Sequence, residues 1–340
     1  MTNNLFKHVA VFTDIHVGLK HNSQTHNKDC IDFIDWFIDE AKSRGAETCI
    51  FMGDFHHHRA TLNVCSLGYT MRILGKLNQA FEHVWFIVGN HDIYYREKRD
   101  VNSIPMAELY PNITLVDKPM IKDNVAIVPW LVGDEWKEVK EYETKYMFGH
   151  FELPGFKLNA MVDMPDHGGL NKTHFKNQEY VFSGHFHKRQ FGENVHYIGN
   201  PFGHNYADAW DFDRGAMFLK WGGKPEYVNW TDGPKYMSTK LSCLADEPEK
   251  YLLPKAHIKA VIDVDLSYEE VNYMRETLIE QFNIRELKLL PSDSLRHTED
   301  TELEISFESV DEIVVSQINS IESDEYNIER LVDIYNNLCN

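Results

Sequence analysis

The chain has 340 residues, a formal net charge of −19 at pH 7 and five cysteines. Its length predicts two domains, and its 43% hydrophobic residues are enough to build a sizeable core. The cysteines lack C-x-x-C spacing, which argues against a zinc finger or a disulfide framework and favours a reducing, cytoplasmic environment. The sequence shows no membrane-spanning stretch and no pattern of a secretory signal.

The acidic residues are unevenly distributed along the chain. Residues 297–340 contain twelve of the 53 Asp and Glu residues but only one basic residue, Arg330. This segment therefore carries −11 of the net charge, and the rest of the chain carries −8. The charge permits a nucleic-acid partner without indicating one.

Residues 1–230 alternate short apolar runs with helical patterns, which predicts an α/β architecture. Amphipathic helices are predicted at residues 29–43 and 66–81, where apolar residues recur at helical spacing. Runs rich in β-branched and aromatic residues predict buried strands, one of them at residues 124–130. The long connection at residues 151–178 is expected to lie over a functional face.

Five of the predicted strands end in side chains that commonly bind metals. Because ligand sites in open α/β sheets gather beyond the carboxyl ends of strands, these side chains should lie together. Carboxylate, amide and imidazole groups without a thiolate favour Mn, Fe, Mg or Zn. The alternative is that they are ordinary polar residues at strand ends. The candidate ligands are Asp14, His16, Asp54, Asn90, His150, His185 and His187.

Asp54 is predicted to bridge two ions, because seven side chains give each ion four protein ligands only when one carboxylate is shared. Two ions held in this way can clamp a phosphate and activate a hydroxide. His91, beside Asn90, is expected to donate a proton to the leaving alkoxide or to stabilise charge on phosphorus. Asp92 either orients the His91 imidazole or caps a following helix. These residues predict a two-metal phosphoesterase.

The ordered motifs DIH, GD, GNHD, GH and GHFH resemble those of the calcineurin-like metallophosphoesterase superfamily. GHFELPGF, SGHFHKRQ and HYIGNPFG followed by DFDRGAMFL resemble SbcD-type DNA-repair nucleases, among them the recombination endonuclease subunits of T-even-like bacteriophages. The superfamily motifs cover roughly the first two thirds of the chain. The resemblance implies a layered α-β-β-α core with His91 as the catalytic histidine. It implies a first metal on Asp14, His16, Asp54 and His187, and a second on Asp54, Asn90, His150 and His185.

The resemblance also implies an activity and partners. It implies a double-strand exonuclease and single-strand endonuclease of DNA recombination, repair and replication, with two divalent ions, Mn²⁺ being preferred and Mg²⁺ the alternative. The nuclease would work as a homodimer within a heterotetramer with an SbcC-type coiled-coil ATPase, in the cytoplasm, or in that of the host if phage-encoded. Two other functions stay open, a phosphoesterase for proteins or small nucleotides and a non-catalytic scaffold with the same fold.

The loop after Asp54 contains three consecutive histidines. Protein phosphatases place an Asp three residues after the bridging aspartate, at the position of His57, whereas SbcD-like nucleases often have a His there. The resemblance therefore implies that His57 assists the catalytic histidine. His56 and His58 remain alternatives, and so does a solvated histidine-rich loop.

Several basic residues follow the candidate ligand segments and are either DNA phosphate contacts or solvated loop tips. Tyr94 and Tyr95 either stack on an unpaired base or pack in the core. The candidate DNA contacts are Lys20, Arg96, Lys98, Arg99, Lys188 and Arg189. Seven histidines match no motif and are expected at the surface: His21, His26, His167, His174, His196, His204 and His297.

The last third of the chain has a different pattern. Residues 231–254 are expected to form a linker between domains. Residues 255–296 are predicted to form a β-α-β capping domain, whose helix begins with a capping box of Ser267 and Glu270. Residues 297–340 are predicted to form an acidic helical hairpin, which either packs on its own core or docks the ATPase partner.

Overall fold

The computed structural model describes residues 4–157, 163–166, 168–291, 318 and 327–338. The chain divides into two compact units, Met1–Tyr236 and Met237–Asn340. The first unit contains two six-stranded sheets, and a three-stranded sheet belongs to the second. The mixed α/β class predicted from the sequence is therefore confirmed. None of the described helices is both long enough and apolar enough to cross a membrane.

The secondary structure of the first unit follows the predicted alternation of strands and helices. Its strands are β1 (His8–Phe12), β2 (Thr48–Phe51), β3 (His83–Ile87), β4 (Ile93–Tyr95), β5 (Lys98–Asn102), β6 (Ile113–Val116), β7 (Met120–Lys122), β8 (Val125–Val128), β9 (Tyr146–His150), β10 (Tyr180–Gly184), β11 (Gln190–Gly192), β12 (Val195–Tyr197), β13 (Gly215–Lys220) and β14 (Glu226–Asn229). Its α-helices are α1 (Leu19–Asn22), α2 (Gln24–Arg44), α3 (Val64–Ala80) and α4 (Trp136–Val139). Short 3-10 helices lie at Pro105–Leu109, Lys172–Phe175 and Tyr206–Asp208.

The two large sheets pack face to face. The first has the order β14-β13-β1-β2-β3-β6 and the second the order β11-β12-β10-β9-β8-β7. In β1, Val9 and Val11 pack between the sheets, whereas Ala10 and Phe12 pack against α2 and α3. Successive side chains of a strand point to opposite faces, so a strand buried on both faces is apolar throughout. This arrangement explains why the strands appear in the sequence as continuous apolar runs.

The outer face of the second sheet has a different cover. Phe151, Leu153, Phe156 and Phe175 from the connection after β9 pack on it, together with Val139 of α4. Among the described residues, the predicted second helical layer is therefore reduced to α4 and one 3-10 helix. The connection predicted to lie over a functional face supplies most of this cover.

The second unit contains the predicted β-α-β arrangement. Strands β16 (Ala256–Ile262) and β17 (Glu286–Pro291) are parallel and flank α7 (Tyr268–Phe282). The predicted capping box at the start of α7 forms, with the Ser267 side chain accepting from the Glu270 N–H. Helix α8 (Ile328–Leu338) matches the second helix of the predicted acidic hairpin. The first helix of that hairpin lies outside the described residues, apart from Ile318.

The expected linker differs from the structure. Residues 231–254 contain β15 (Lys235–Lys240), α5 (Leu241–Asp246) and α6 (Pro248–Tyr251). Strand β15 pairs in the sheet of order β15-β16-β17, and Met237, Leu241 and Leu244 are buried in the core of the second unit. Elements this short are too brief to show a hydrophobic period, so the sequence pattern did not reveal them.

Candidate metal centre

The first sheet brings four of the candidate ligands to one edge. Asp14 and His16 follow β1, Asp54 follows β2, and Asn90 follows β3. Because β1, β2 and β3 are parallel neighbours, their carboxyl ends lie side by side. The backbone N–H of Asp14 donates to Gly53 O at 3.0 Å, which joins the loops after β1 and β2.

The second sheet supplies the other three candidate ligands. His150 is the last residue of β9, and His185 and His187 follow β10, its parallel neighbour. The His185 backbone N–H lies 3.1 Å from Asp14 Oδ2, which connects the edges of the two sheets. The seven predicted ligands are thus assembled from both sheets.

One group of ligand atoms surrounds the Asn90 amide. Asn90 Oδ1 lies 2.9 Å from His150 Nε2 and 3.0 Å from His185 Nδ1. His150 Nε2 is also 3.4 Å from Asp54 Oδ2. Two atoms on one ion, with bonds of about 2.1 Å at right angles, are roughly 3.0 Å apart. These atoms therefore have the spacing of ligands to a single cation.

The opposite nitrogens of these two imidazoles are already hydrogen-bonded. His150 Nδ1 donates to the main-chain carbonyl of Met52 at 2.7 Å. His185 Nε2 lies 3.0 Å from a carboxylate oxygen of Glu152. Such partners set the tautomer of a metal-binding histidine. They turn His150 Nε2 and His185 Nδ1 towards the Asn90 oxygen, from where each nitrogen, once deprotonated, could bind an ion.

A second group of ligand atoms lies on the other side of Asp54. His16 Nε2 is 3.2 Å from His187 Nε2 and 3.8 Å from Asp54 Oδ2. Asp14 belongs to the same cluster, since Asp14, His16 and Asp54 each place a potential ligand atom within 4.8 Å of the others. Asp54 Oδ2 is therefore close to both groups of ligand atoms. The other oxygen, Asp54 Oδ1, accepts a hydrogen bond from the backbone N–H of His91 at 2.8 Å.

Burial and the charge on Asp54 shift the ionisation of these groups. Burial lowers the pKa of His187 to about 4 and that of His16 well below its usual value, so both rings are neutral. Burial acts to lower the pKa of His150, but the Asp54 carboxylate outweighs it and raises that pKa to about 9. Burial raises the pKa of Asp14 to about 7, and the charge of Asp54 adds to the rise. A divalent cation would offset both the repulsion between the carboxylates and the cost of their burial.

Unpaired buried atoms provide a further test of the fit. Both ring nitrogens of His204 are buried without a hydrogen-bond partner among the described residues. A donor or acceptor left unpaired in a core costs about 1–3 kcal/mol. Imidazole and carboxylate groups in this arrangement match the ligand chemistry of Mn²⁺, Zn²⁺ and related ions. The residues present therefore fit a pair of divalent cations.

The backbone at the centre is strained. Asp14, His16, Asp54 and His185 have φ values of 50°, 48°, 59° and 83°, in the left-handed region. Such conformations cost roughly 1–3 kcal/mol each in non-glycine residues and concentrate at functional sites. Gly53, with φ 99°, packs so closely that a Cβ there would collide with His150 and Gly89. The ligands are held in place at the expense of stability.

His91 lies beside His16, on the side of the centre that His187 shares. The loop that contains His57 orients its ring. Its Nδ1 donates to the main-chain carbonyl of His57 at 2.9 Å, so Nε2 remains available. Its ring is edge-on to His16 at 4.8 Å and stacks on the His57 ring at 5.5 Å. His57 is thus the member of the triplet in contact with His91. His56 is buried and bonded to Ser103 and Thr70, whereas His58 is exposed.

Asp92 requires a correction, because it neither contacts the His91 imidazole nor caps a helix. The next element is strand β4. The buried carboxylate of Asp92 accepts four backbone N–H groups at 2.9–3.0 Å, those of Gly89, Asp54, Phe55 and His56. Asp92 therefore ties the loop after β2 to the loop after β3.

The candidate DNA contacts differ widely in exposure. The predicted DNA contact of Arg99 also requires a correction. Arg99 is only 7% exposed, and its guanidinium makes a bidentate pair with the Glu135 carboxylate at 2.5 and 2.7 Å. Arg189 is partly buried and donates to Ile198 O and Asn229 Oδ1. Arg96 and Lys98 are exposed on the β4–β5 hairpin, Lys188 is half-buried, and Lys20 contacts the Tyr236 hydroxyl.

Tyr94 and Tyr95 extend from the β4–β5 hairpin. They are 47% and 50% exposed, so the core-packing alternative is wrong for both. A cavity of about 570 Å³ adjoins His185 and His187, and Lys188, Trp210 and Arg214 also line it. This volume lies within the range typical of ligand sites. The centre is therefore open to a substrate on this side.

Two of the histidines expected at the surface are buried at the centre. His26 is 5% exposed, and its Nε2 donates to the main-chain carbonyl of His16 at 2.9 Å. His204 is 2% exposed, and its ring lies 5.4 Å from that of His16 and 5.2 Å from that of His187. His204 directly follows the segment HYIGNPFG, and that position was the one available signal. His167 and His297 lie outside the described residues.

No family model matches the chain. Among solved structures, nuclease MPE of Pseudomonas putida aligns with a TM-score of 0.30 and 19% identity, covering 55% of this chain and 66% of that one. The Escherichia coli phosphoesterase Yfce aligns with a TM-score of 0.29 and 15% identity, covering 62% and 87%.

A curated relative gives a closer match in sequence. The chain is 31% identical over 197 residues to Exonuclease subunit 1 of Enterobacteria phage T4 and is homologous to it over that region. The match covers 55% of this chain and 57% of the phage protein. The chain thus matches little more than half the length of this relative. The resemblance to nuclease subunits of T-even-like phages, which the motifs indicated, is confirmed as homology over these 197 residues.

Proposed function

We propose that this chain is a metal-dependent DNA nuclease that hydrolyses phosphodiester bonds with two divalent ions, Mn²⁺ being preferred. The observation that carries the proposal is the position of Asp54 Oδ2, within 3.8 Å of His16 Nε2 and 3.4 Å of His150 Nε2. One carboxylate oxygen thus adjoins two sets of ligand atoms, as a bridged pair of ions requires. His91 lies at the edge of this pair, where it is free to act on substrate.

The two metal positions divide the ligands between them. When bound, such a pair of ions neutralises phosphate charge and activates water. The first position would use Asp14, His16, Asp54 and His187, and the second Asp54, Asn90, His150 and His185.

The protein's own residues supply orientation and a proton. The His57 carbonyl holds His91 Nδ1, so that in the protonated ring Nε2–H can donate to the leaving oxygen. Asp92 fixes the position of His91 relative to Asp54 by anchoring both of their loops. In this arrangement His91 is a catalytic residue, and His57 and Asp92 are positioning residues.

Two observations favour DNA over other phosphoesters. The homologous phage protein is named an exonuclease subunit. The β4–β5 hairpin, directly after His91, exposes Arg96, Lys98, Tyr94 and Tyr95, which are suited to phosphates and unpaired bases. A phosphatase for proteins or small nucleotides needs no such hairpin. A scaffold needs no complete ligand set.

We further propose that the chain is the nuclease subunit of an ATPase–nuclease complex for recombination, repair and replication, dimeric and cytoplasmic. The relative's name contains the word subunit, and the acidic segment 297–340 includes the amphipathic helix α8. Deletion of residues 308–340 is expected to abolish co-purification with an SbcC-type coiled-coil ATPase while nuclease activity persists. Unchanged co-purification would place the docking surface elsewhere.

The central experiment compares substrates with the same metal-loaded protein. Linear duplex DNA, single-stranded DNA and a small aryl phosphate are incubated with Mn²⁺, with a chelator control. Mn²⁺-dependent cleavage of both DNAs at rates well above aryl phosphate hydrolysis is expected. Hydrolysis of the aryl phosphate alone would indicate the phosphatase alternative, and bound metal without any hydrolysis would indicate the scaffold.

A further inference from the structure

His204 is a buried histidine with no role in the seven-residue ligand set. It is 2% exposed, and its ring lies 5.4 Å from that of His16 and 5.2 Å from that of His187, nearly perpendicular to both. The His26 ring lies 5.5 Å away on another side. Three imidazoles of the centre thus surround a fourth that the motifs did not predict.

The polar atoms of His204 are unpaired. Neither Nδ1 nor Nε2 has a hydrogen-bond partner among the described residues. His26 and His56, equally buried, are satisfied through the His16 carbonyl and through Ser103 and Thr70. Since an unpaired buried donor or acceptor costs about 1–3 kcal/mol, packing alone is a poor explanation for an imidazole at this position.

The nitrogen positions suit a shared cation. One ligand atom from each of His16, His187 and His204 lies within 4.8 Å of the other two. Two nitrogens on one ion, with bonds of about 2.0–2.1 Å, are separated by at most roughly 4 Å. The three nitrogens are therefore within about an ångström of the separations that one shared ion requires.

The loop that carries His204 is fixed to the candidate ligand His187. The His204 backbone N–H donates to Asp208 at 2.7 Å, and Asp208 pairs with Arg214 at 3.0 Å. Arg214 in turn donates to the main-chain carbonyl of His187 at 3.0 Å. These buried bonds keep the two imidazoles together.

We propose that His204 supplies a third imidazole nitrogen to the metal position of His16 and His187, and that this makes the position selective for d-block ions over Mg²⁺. Imidazole favours ions such as Zn²⁺, whereas carboxylate, carbonyl and water favour Mg²⁺. The second position, with Asn90 and Asp54 among its ligands, has no third imidazole. The inference rests on the proposed metal centre but not on DNA as the substrate.

The test uses His204→Phe, which preserves a ring of similar shape and removes both nitrogens. Mn²⁺ and Mg²⁺ binding are measured by calorimetry, and Co²⁺-loaded protein by visible absorption. His204→Phe should weaken Mn²⁺ binding at one of two positions by about 10–100-fold. Mg²⁺ binding should change less, and the Co²⁺ spectrum should change. The control is His196→Phe, which removes a half-buried imidazole that contacts the Tyr227 hydroxyl outside the centre.

Two outcomes separate this inference from the proposed function. Wild-type protein that binds no divalent ion would overturn the metal centre itself. Two ions in wild type with an unchanged Mn²⁺ affinity and Co²⁺ spectrum in His204→Phe would overturn only the role of His204. If the variant does not fold, a crystal structure of Zn²⁺-loaded wild type decides. A His204 nitrogen about 2.0–2.1 Å from an ion supports the inference, and one beyond bonding distance from both ions contradicts it.

Discussion

The guanidinium of Arg214 lies 3.0 Å from the main-chain carbonyl of His187 and donates a hydrogen bond to it. Its other nitrogens donate to Asp208 and Asp211, so that one buried cation organises the loop before β13. Arg214 is itself 4% exposed, which strengthens these charge-assisted bonds. The position of a candidate ligand thus depends on a residue that does not reach the metal.

Arg214→Lys should weaken metal binding without removing a ligand. Lysine cannot make the forked contacts of a guanidinium, so the bonds to Asp208 and to the His187 carbonyl are not all retained. Calorimetry should show a loss of about tenfold or more in Mn²⁺ affinity. The control is Arg44→Lys, at a partly buried pair with Glu40 and Glu226 outside the centre, where Mn²⁺ affinity should not change. Equal affinities in both variants would remove the positioning role.

Asp54→Asn should abolish the stabilisation that metal provides. The amide keeps the size of the side chain but loses the charge that faces both groups of ligand atoms. Wild type should gain about 2.7 kcal/mol in unfolding free energy at an ion concentration of about 100 times Kd. Thermal unfolding with Mn²⁺ and with chelator measures this gain, which should vanish in the variant together with DNA cleavage. An active variant that retains two ions would disprove the bridge.

His91→Leu should separate metal binding from catalysis. The His91 backbone N–H still bonds to Asp54, but no imidazole remains to protonate the leaving group. Elemental analysis should find two ions per chain, while single-turnover cleavage falls by about 10²–10⁴-fold. Cleavage close to the wild-type rate would exclude a catalytic role for this histidine.

Gly53→Ala should damage the centre far more than an alanine elsewhere. Position 53 has φ 99°, and a Cβ there would strike His150 and Gly89. The conformational strain alone costs about 1–3 kcal/mol, and the collision would displace a ligand. Gly68→Ala, in the second turn of α3 where a Cβ would meet no atom within 4 Å, should instead raise stability by roughly 0.5–1 kcal/mol. Urea unfolding and metal titration of both variants give the comparison.

Arg96→Ala combined with Lys98→Ala should weaken DNA binding chiefly at low salt. If both side chains contact phosphates, the slope of log K against log salt should become shallower by about 0.9 for each contact on duplex DNA. Fluorescence anisotropy over a salt series measures that slope. Lys42→Ala, in the last turn of α2, is the control and should leave it unchanged. A parallel loss at all salt concentrations would argue against phosphate contacts.

Apolar periodicity was sufficient to predict much of the fold. Helix α2 extends from Gln24 to Arg44, five residues earlier than predicted, because its first turn is polar and begins at the Ser23 cap. The β-α-β arrangement around α7 could be predicted because its capping box and alternating strands are local features. The strand and helices of 231–254 could not, because tertiary pairing stabilises them rather than a local pattern.

The site was predictable where chemistry coincides with strand ends. Asp14, Asp54 and His150 follow or end apolar runs, so their convergence follows from topology. Burial of His204 and pairing of Arg99 depend on partners distant in sequence, which no single-chain pattern reveals. Asp92 was misjudged for the same reason, since the amides it accepts come largely from another loop.

The division of the ligands between two sheets has a mechanical consequence. Asp14 and Asp54 belong to one sheet and His150 and His187 to the other, so any ion bound among them fastens the open end of the β-sandwich. Removal of the ions should first loosen the contact between the two sheet edges that carry the ligands. The apolar core between the sheets should keep the opposite end packed. The ions bound at the centre would then determine how rigidly the two sheets hold the surface on which a substrate lies.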